Sequence, residues 1–473
     1  MSNTLIDKEL EYIEGARVSA SLAVREKRQK LNEQYFTPGY VSKYIGDKLI
    51  RKDESHYKIL DAASGVGNLG AHLALSIRAQ CAKKVIHVCS VEIDNELSVE
   101  NGSLYKKILT KHNVSYKSVN SDFFSFYKES FHGGSRYNRI VMNPPYRKFS
   151  RKEYESHEFN GDEIVYSPNM YSVFISCGLS LLEDGGELIA IVPRSFCSGV
   201  QFRNFREKMF QVSRLEYIHL FNSRTEVFSF DKIQQETVIL KLSKRKVEDD
   251  FVNITFGDDL SSVKVKKYPL SKVIFSKDSS SVIHIPHENS DDNILDIILS
   301  YKNNLDTLNL SVSTGKVVDF RNLESLVENK RDGVAYLFCK ENLGRDVFWL
   351  NSSKKPNYLF VNNNTRKMLL NNQCHVVLNR MFFKEQGKAV VCQVIDLSDV
   401  NECVAIENHL NYISGKEGFK LTYELAVGVK KYLESELVSL YFKRFIGSTQ
   451  INASDLRRLP FPAKEQLIKL ARS

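Results

Sequence analysis

A chain of 473 residues, 42% apolar and 26% charged, is long enough for two domains and ordinary in composition for a soluble globular protein. Its formal net charge of +9 and pI near 8.9 permit an acidic partner such as nucleic acid without requiring one. No apolar run reaches the roughly 18 residues of a membrane span and no signal peptide is evident, so a cytoplasmic protein with no membrane partner is expected. The eight scattered cysteines include no C-x-x-C pair, which argues for small buried thiols over zinc ligands or disulfides.

Residues 4–30 are charged, with Leu5, Tyr12, Ile13, Val18, Leu22 and Leu31 at loosely helical spacing. This predicts an exposed amphipathic helix, an N-terminal segment over 1–30. Thr37-Pro38, closing Asn32-Glu33-Gln34-Tyr35-Phe36-Thr37-Pro38, offers a capping hydroxyl and an N1 proline to an apolar helix near 40–50. From Lys58 a short buried strand runs through Asp61 into the Gly-rich turn Ala62 to Gly70, and Ala71 to Ala79 read as a helix. Glycines let the backbone approach a ligand with no Cβ in between. Gly65-Val66-Gly67-Asn68-Leu69-Gly70 also fits G-x-G-x-x-G, so a nicotinamide-dependent oxidoreductase is an alternative here. Val85 to Val91 form a second strand ending in Glu92-Ile93-Asp94, an acidic tip placed to accept from ribose hydroxyls. Nucleotide cofactors and S-adenosylmethionine both carry that ribose.

A helix over about 95–112 leads to Tyr116 to Val119 and then Asn120-Ser121-Asp122-Phe123-Phe124, where Asp122 suits an adenine amino group and Phe123 the ring. Tyr137 to Met142 form the fourth strand, ending in Asn143-Pro144-Pro145-Tyr146. Proline lacks an N–H and fixes φ, so the pair ends the sheet pairing and stiffens the backbone beyond it. An amide, two carbonyls and an aromatic ring are thus held at a strand's C-terminal end, where open α/β sheets bind ligands. An amide oxygen beside a backbone carbonyl suits a planar –NH2 group, and the Tyr146 ring suits a flat heterocycle. Asn169 to Leu182 read as a helix, and Glu187 to Pro193, Leu215 to Leu220 and Glu236 to Leu242 as further strands. The alternation to about residue 243 predicts an α/β sheet covered on both faces. The polar run Ser243 to Asp250 marks a boundary, giving domains over 31–245 and 246–473. Beyond it the rhythm is lost, leaving short β-like pieces (Val317-Val318, Val376-Val377-Leu378, Ala389-Val390-Val391) and a helical run from about Tyr423 to Phe445.

In chain order these pieces resemble the gamma-class DNA adenine-N6 methyltransferases of restriction-modification systems. The matching residues are Gln34 to Pro38, Asp61 to Gly67, Glu92, Asp122-Phe123 and Asn143 to Tyr146, within about 31–245. Asn-Pro-Pro-Tyr about 80 residues after a Gly-rich strand end is the specific part of the pattern. Val312 to Gly315, Glu407 to Tyr412 and Gly447 to Leu456 are similar to the BsuBI/PstI-type modification methylases. Ala63-Ser64 departs from the Ala-Cys of many relatives, in a turn that needs its glycines and not a thiol.

The resemblance implies an α/β, class I S-adenosylmethionine-dependent methyltransferase domain with a Rossmann-like sheet, followed by a separate mixed target-recognition domain. It implies S-adenosylmethionine as methyl donor, held by Thr37, Asp61, Gly65, Gly67, Asn68, Glu92, Ile93, Asp122 and Phe123, with no metal. The substrate would be double-stranded DNA, its target adenine flipped from the stack. Asn143 and the Pro144 carbonyl would accept the N6 hydrogens, Pro145 would stiffen the turn and Tyr146 would stack on the base. Phe228 is a candidate second aromatic of the base pocket, with core packing an equal alternative. RNA or a protein glutamine amide is the alternative substrate, disfavoured by the large C-terminal part. The nicotinamide reading leaves Asn143 to Tyr146 without a role. Arg321, Arg331 and Asn362 to Asn364 are candidates for reading base edges. A monomer is expected, with any cognate endonuclease a separate protein, since no P-D…(D/E)-x-K cluster is found.

Overall fold

The computed structural model describes residues 3–27, 36–80, 83–159, 164–221, 236–244, 250–274, 281–285, 292–344, 356–381, 388–398, 403–445 and 450–473. The chain divides into two compact units, Met1–Ile285 and Pro286–Ser473.

The first unit opens with α1 (Asn3–Lys27) and α2 (Gly39–Tyr44). It then alternates β1 (His56–Ala62), α3 (Asn68–Gln80), β2 (Val85–Glu92), α4 (Asn95–Ile108), β3 (Ser115–Asn120), α5 (Phe123–His132) and β4 (Tyr137–Met142). After α6 (Arg151–Ser156) and α7 (Met170–Leu181) come β5 (Leu182–Pro193), α8 (Arg203–Val212), β6 (Arg214–Leu220), β7 (Thr237–Ser243), β8 (Phe251–Phe256) and β9 (Lys266–Pro269). All nine strands lie in one sheet ordered β3-β2-β1-β4-β5-β7-β6-β8-β9. β3 through β5 pair in parallel, and β7 enters antiparallel between β5 and β6. This is the Rossmann-like sheet that the resemblance implies. Its central strands are apolar runs because helices cover both faces: Ile140, Val141 and Met142 of β4 have no exposed surface. Every residue of α7 is buried, which explains its even hydrophobicity all round.

Two expectations change. The helix over residues 4–30 is not an exposed appendage. Ile13 is fully covered, and the Glu9 carboxylate pairs with buried His112, just beyond α4. The Lys107 ammonium also sits 3.5 Å from the Tyr12 ring centroid. The polar run after Ser243 is not the edge of the compact unit either. It joins β7 to β8, and β8 pairs in parallel with β6 from Tyr217↔Asn253 to Leu220↔Phe256. Val252 and Ile254 are fully buried, so the first unit continues to Ile285.

The sheet carries a cluster of buried charge around Glu187. Glu187 on β5 is fully covered, with Arg51 Nε 2.9 Å, Arg139 Nε 3.3 Å and Lys241 Nζ 2.6 Å from its carboxylate. Glu216 on β6 adds a second carboxylate, 3.0 Å from Lys241.

The second unit holds two four-stranded sheets. One orders β10 (Leu310–Thr314), β17 (Leu410–Gly415), β14 (Cys374–Asn379) and β15 (Cys392–Asp396), all antiparallel. The other orders β11 (Leu326–Val327), β13 (Tyr358–Phe360), β12 (Val334–Phe338) and β16 (Val404–Ile406). The long C-terminal helical run is two helices, α9 (Tyr423–Leu433) and α10 (Glu436–Phe445). Of the described cysteines, Cys177, Cys197, Cys339, Cys374 and Cys392 are buried free thiols, Cys89 is half-buried and Cys403 is exposed. No described helix is long and apolar enough to cross a membrane.

Removing one partner of a buried ion cluster strands the others in low dielectric, at about 3–5 kcal/mol. Glu187→Ala should therefore lower the urea unfolding midpoint by a corresponding amount. A loss below about 1 kcal/mol would show that the three cations do not depend on this carboxylate.

Candidate active site at the strand ends

The C-terminal ends of β1, β2 and β4 and the segment around Thr37 enclose a cavity of about 190 Å3. One water needs only about 10–15 Å3 by the same measure, so this space is of ligand size.

β1 delivers the Gly-rich turn. Ala63, Gly65 and Gly67 all have positive φ (58°, 53° and 85°), the left-handed region that favours glycine and costs alanine roughly 1–2 kcal/mol. The Ser64 N–H donates to the Val91 carbonyl at 3.0 Å and the Gly65 N–H to Glu92 Oε2 at 2.8 Å, tying the turn to the end of β2. Ser64, the departure from Ala-Cys, accepts from Asn101 Nδ2 at 3.3 Å. A Cβ on Gly67 would meet Asn101 Nδ2 at 2.4 Å, and one on Gly70 would meet the Tyr105 hydroxyl at 2.4 Å. These two glycines let α4 pack close, whereas Gly65 borders the cavity.

Glu92 is buried, and its other oxygen accepts from the Asp94 N–H at 2.9 Å. Burial raises its pKa against the pull of those backbone donors. Asp122 uses Oδ2 to cap α5 through the Ser125 N–H at 3.0 Å. Phe123 stacks on Phe174, with centroids 4.5 Å apart at 23°. Asn68 donates from Nδ2 to the Thr37 carbonyl at 2.6 Å, while its Oδ1 is sealed from water with no hydrogen-bond partner.

At the end of β4, Asn143 is fixed from two sides. Its Nδ2 donates to Thr37 Oγ1 at 3.1 Å, and the single Tyr146 hydroxyl proton is shared between its Oδ1 at 3.0 Å and the Ile191 carbonyl of β5 at 3.2 Å. Asn169 Nδ2 donates to the Tyr146 carbonyl at 3.1 Å, closing the far side of the turn.

Of the residues singled out from the sequence, Thr37, Gly65, Asn68, Glu92, Ile93, Asp122, Phe123, Asn143 and Pro145 line this one cavity. Asp61, Gly67, Pro144 and Tyr146 are not among its lining residues. Asp61 is fully buried and accepts from the Gly70 N–H at 2.8 Å, steadying the start of α3, while its Oδ1 has no hydrogen-bond partner. Tyr146 is only 6% exposed, its ring edge-on to Tyr171. Phe228 lies outside the described residues, as do Gln34 and Tyr35. The sequence reading missed Arg17, Arg147, Met170 and Phe174 as lining residues. No spacing rule singles out one arginine in a charged helix. In the second unit, Asn362 Oδ1 is taken up by the Asn364 and Thr365 N–H groups in a turn. Arg321 and Arg331 lie over the exposed rings of Phe320 and Phe360, 5.5 Å from each centroid.

The cavity fits S-adenosylmethionine. Glu92 is available to a ribose diol, Ile93, Leu97 and Phe123 form an apolar slot for a purine, and the orphaned Asn68 oxygen seeks a donor such as an ammonium.

Residues 10–228 match the Eco57I restriction-modification methylase family. The chain is 32% identical over 484 residues to the type II methyltransferase M.BsuBI of Bacillus subtilis, covering 98% of this chain and 93% of that protein. It is 30% identical to the type II methyltransferase M.PstI of Providencia stuartii, covering 97% and 92%. Among solved structures, a nuclease-deletion mutant of the Type ISP restriction-modification enzyme LlaGI with a DNA substrate mimic aligns with TM-score 0.51 at 13% identity. It spans 95% of this chain and 55% of that one, a likeness of fold alone.

Burial pushes the Asp61 carboxyl up from 3.8 to about 7. Between those values the folded chain holds a proton that the unfolded chain has released, so this group's contribution to stability falls as pH rises through that window. Asp61→Asn is neutral throughout. The wild type should lose stability relative to this variant between about pH 4 and pH 7, read from urea midpoints. A difference unchanged with pH would mean that Asp61 is ionised in the folded protein.

Proposed function

The chain belongs to the type II restriction-modification methyltransferases, and we propose that it transfers the methyl group of S-adenosylmethionine to N6 of an adenine flipped out of double-stranded DNA. The observation that carries this reading is Asn143, an amide locked between Thr37 and Tyr146 on the wall of the cavity that Glu92 and the Gly-rich turn complete.

The adenine amine is a weak nucleophile because its lone pair is delocalised into the ring. Acceptance of its two hydrogens by the Asn143 side-chain oxygen and the Pro144 carbonyl localises that pair. Both acceptors are neutral dipoles that oppose the positive charge growing on N6. The sulfonium cofactor supplies the electrophilic methyl group. The protein's part is orientation, Tyr146 holding Asn143 and the stiff Pro144-Pro145 pair fixing the carbonyl. Stacking of the base on Tyr146 belongs to the same reading and requires the ring to be uncovered from its present 6% exposure.

In this reading the first unit carries the chemistry over about 31–245, the second recognises the DNA target, and Arg321 and Arg331 are its candidate base readers. The mark is the modification half of a restriction-modification pair, with cutting left to a separate protein. No metal enters the proposed step.

Labelled S-adenosylmethionine and plasmid from a host without adenine methylation test the reaction directly. Hydrolysis to nucleosides and mass spectrometry should yield N6-methyladenine. A methylated cytosine, or transfer only to RNA or a protein glutamine, would overturn the target assignment. Asn143→Ala should lower the single-turnover rate by roughly 10²–10³, the usual cost of one transition-state dipole, while S-adenosylhomocysteine affinity changes less than threefold. Normal turnover by that variant would remove Asn143 from the mechanism.

A further inference from the structure

We propose that Arg17 of α1 binds the carboxylate at the amino-acid end of S-adenosylmethionine, which makes α1 the cover of the cofactor cavity; the proposal rests on S-adenosylmethionine being the ligand of that cavity.

α1 is fastened where such a cover must be. Its Ala20 packs in one cluster with Phe36, with Val66 of the Gly-rich turn and with Leu97 of α4. Arg17, one turn earlier on the same helix, lines the cavity and is 7% exposed. Phe36 lies against Gly65, since a Cβ there would meet its ring at 3.1 Å. Arg17 therefore enters at the Gly65–Thr37 end of the cavity, away from the Asp122–Phe123 slot.

A guanidinium this deeply covered must be paired. Glu14 provides the partner, with Arg17 Nε 3.0 Å from both its oxygens and Nη2 2.6 Å from Oε1. Glu14 Oε2 also accepts from the Gly39 N–H at 2.9 Å, linking α1 to the start of α2, two residues beyond Thr37. Glu14 engages one edge of the fork, and Nη1 makes no hydrogen bond to any described residue. A guanidinium has five N–H donors, and a second planar carboxylate fits its other edge.

The remaining charges on the wall leave this task to Arg17. Glu92 and Asp122 are acidic. Arg147 follows Tyr146 at the other end, with Nη1 on the Lys148 carbonyl and on Glu153, and Nη2 on Glu153 at 2.5 Å. The cofactor's amino-acid end is a zwitterion. Arg17 answers its carboxylate, and the unpartnered Asn68 Oδ1 answers its ammonium.

Truncated ligands separate this role from a structural ion pair. Titration calorimetry would compare S-adenosylhomocysteine with 5′-methylthioadenosine, which keeps the nucleoside and sulfur and lacks the amino acid. Arg17→Gln should weaken S-adenosylhomocysteine about tenfold or more and leave 5′-methylthioadenosine within twofold, while Arg17→Lys recovers part of the loss. Equal weakening of both ligands would overturn the assignment and leave Arg17 a fastening of α1. Should Arg17→Gln not fold, the unaltered protein decides. It should bind decarboxylated S-adenosylhomocysteine at least tenfold more weakly than the intact compound, and equal affinity would overturn the proposal. If the unaltered chain bound no S-adenosylhomocysteine, the cofactor reading would fall and the assignment with it.

Discussion

Arg139 of β4 and Glu187 of β5 are register partners in the sheet, and their side chains meet inside it. Glu187 also faces Arg51, ahead of β1, and Lys241 of β7, so one carboxylate links four stretches of chain. Asn143 lies four residues past Arg139, immediately beyond the end of the same strand. A one-residue slip of β4 would move that amide by about 3.3 Å and turn its side chain to the opposite face. Apolar strands with similar side chains at every position resist such slippage poorly. A buried charge cluster gives little net stability over well-packed apolar residues, yet it is costly to mispair. A shifted register would strand Glu187 and its cations without partners, so the cluster favours the register on which the position of Asn143 depends.

The same economy governs the Gly-rich turn. Gly67 and Gly70 are required by Asn101, Tyr105 and Asp61 packed against them, so two of the three glycines serve the fit of α3 and α4. Only Gly65 borders the cavity, and its N–H is already held by Glu92. Backbone N–H groups that bind Glu92 fix the carboxylate in position, whereas burial raises its proton affinity. The turn and the acidic strand end therefore act as one piece, positioned by backbone before any ligand arrives.

Most of this half was legible in the sequence because its signals are local. Apolar runs marked β1, β2, β4 and β5, and the residues at their ends marked the site. What could not be read is non-local. α1 looked exposed because polar residues, Glu9, Arg17 and Ser21, are among those it buries, and the partner of Glu9 is His112, 103 residues along the chain. β8 was missed because a charged connection reads the same whether it leaves a domain or joins two strands of one sheet. In the second unit, β10 pairs with β17 across about 100 residues, and no periodicity announces such a partner. Asn362, a candidate base reader, uses its side-chain oxygen to close a turn.

Methyl transfer from a sulfonium asks little of a protein beyond geometry. With neutral acceptors, a displacement of 1 Å costs far more than a modest change in their dipoles. Such a site is therefore governed by what supports it. Tyr146 reaches from Asn143 to the carbonyl of Ile191 on β5, the strand that carries Glu187. Asn143 is thus tied to β5 twice, through the register of β4 and through a phenol. Conservative changes at Tyr146 or Glu187 then act on the same coordinate, the place of one amide, although neither residue lines the cavity.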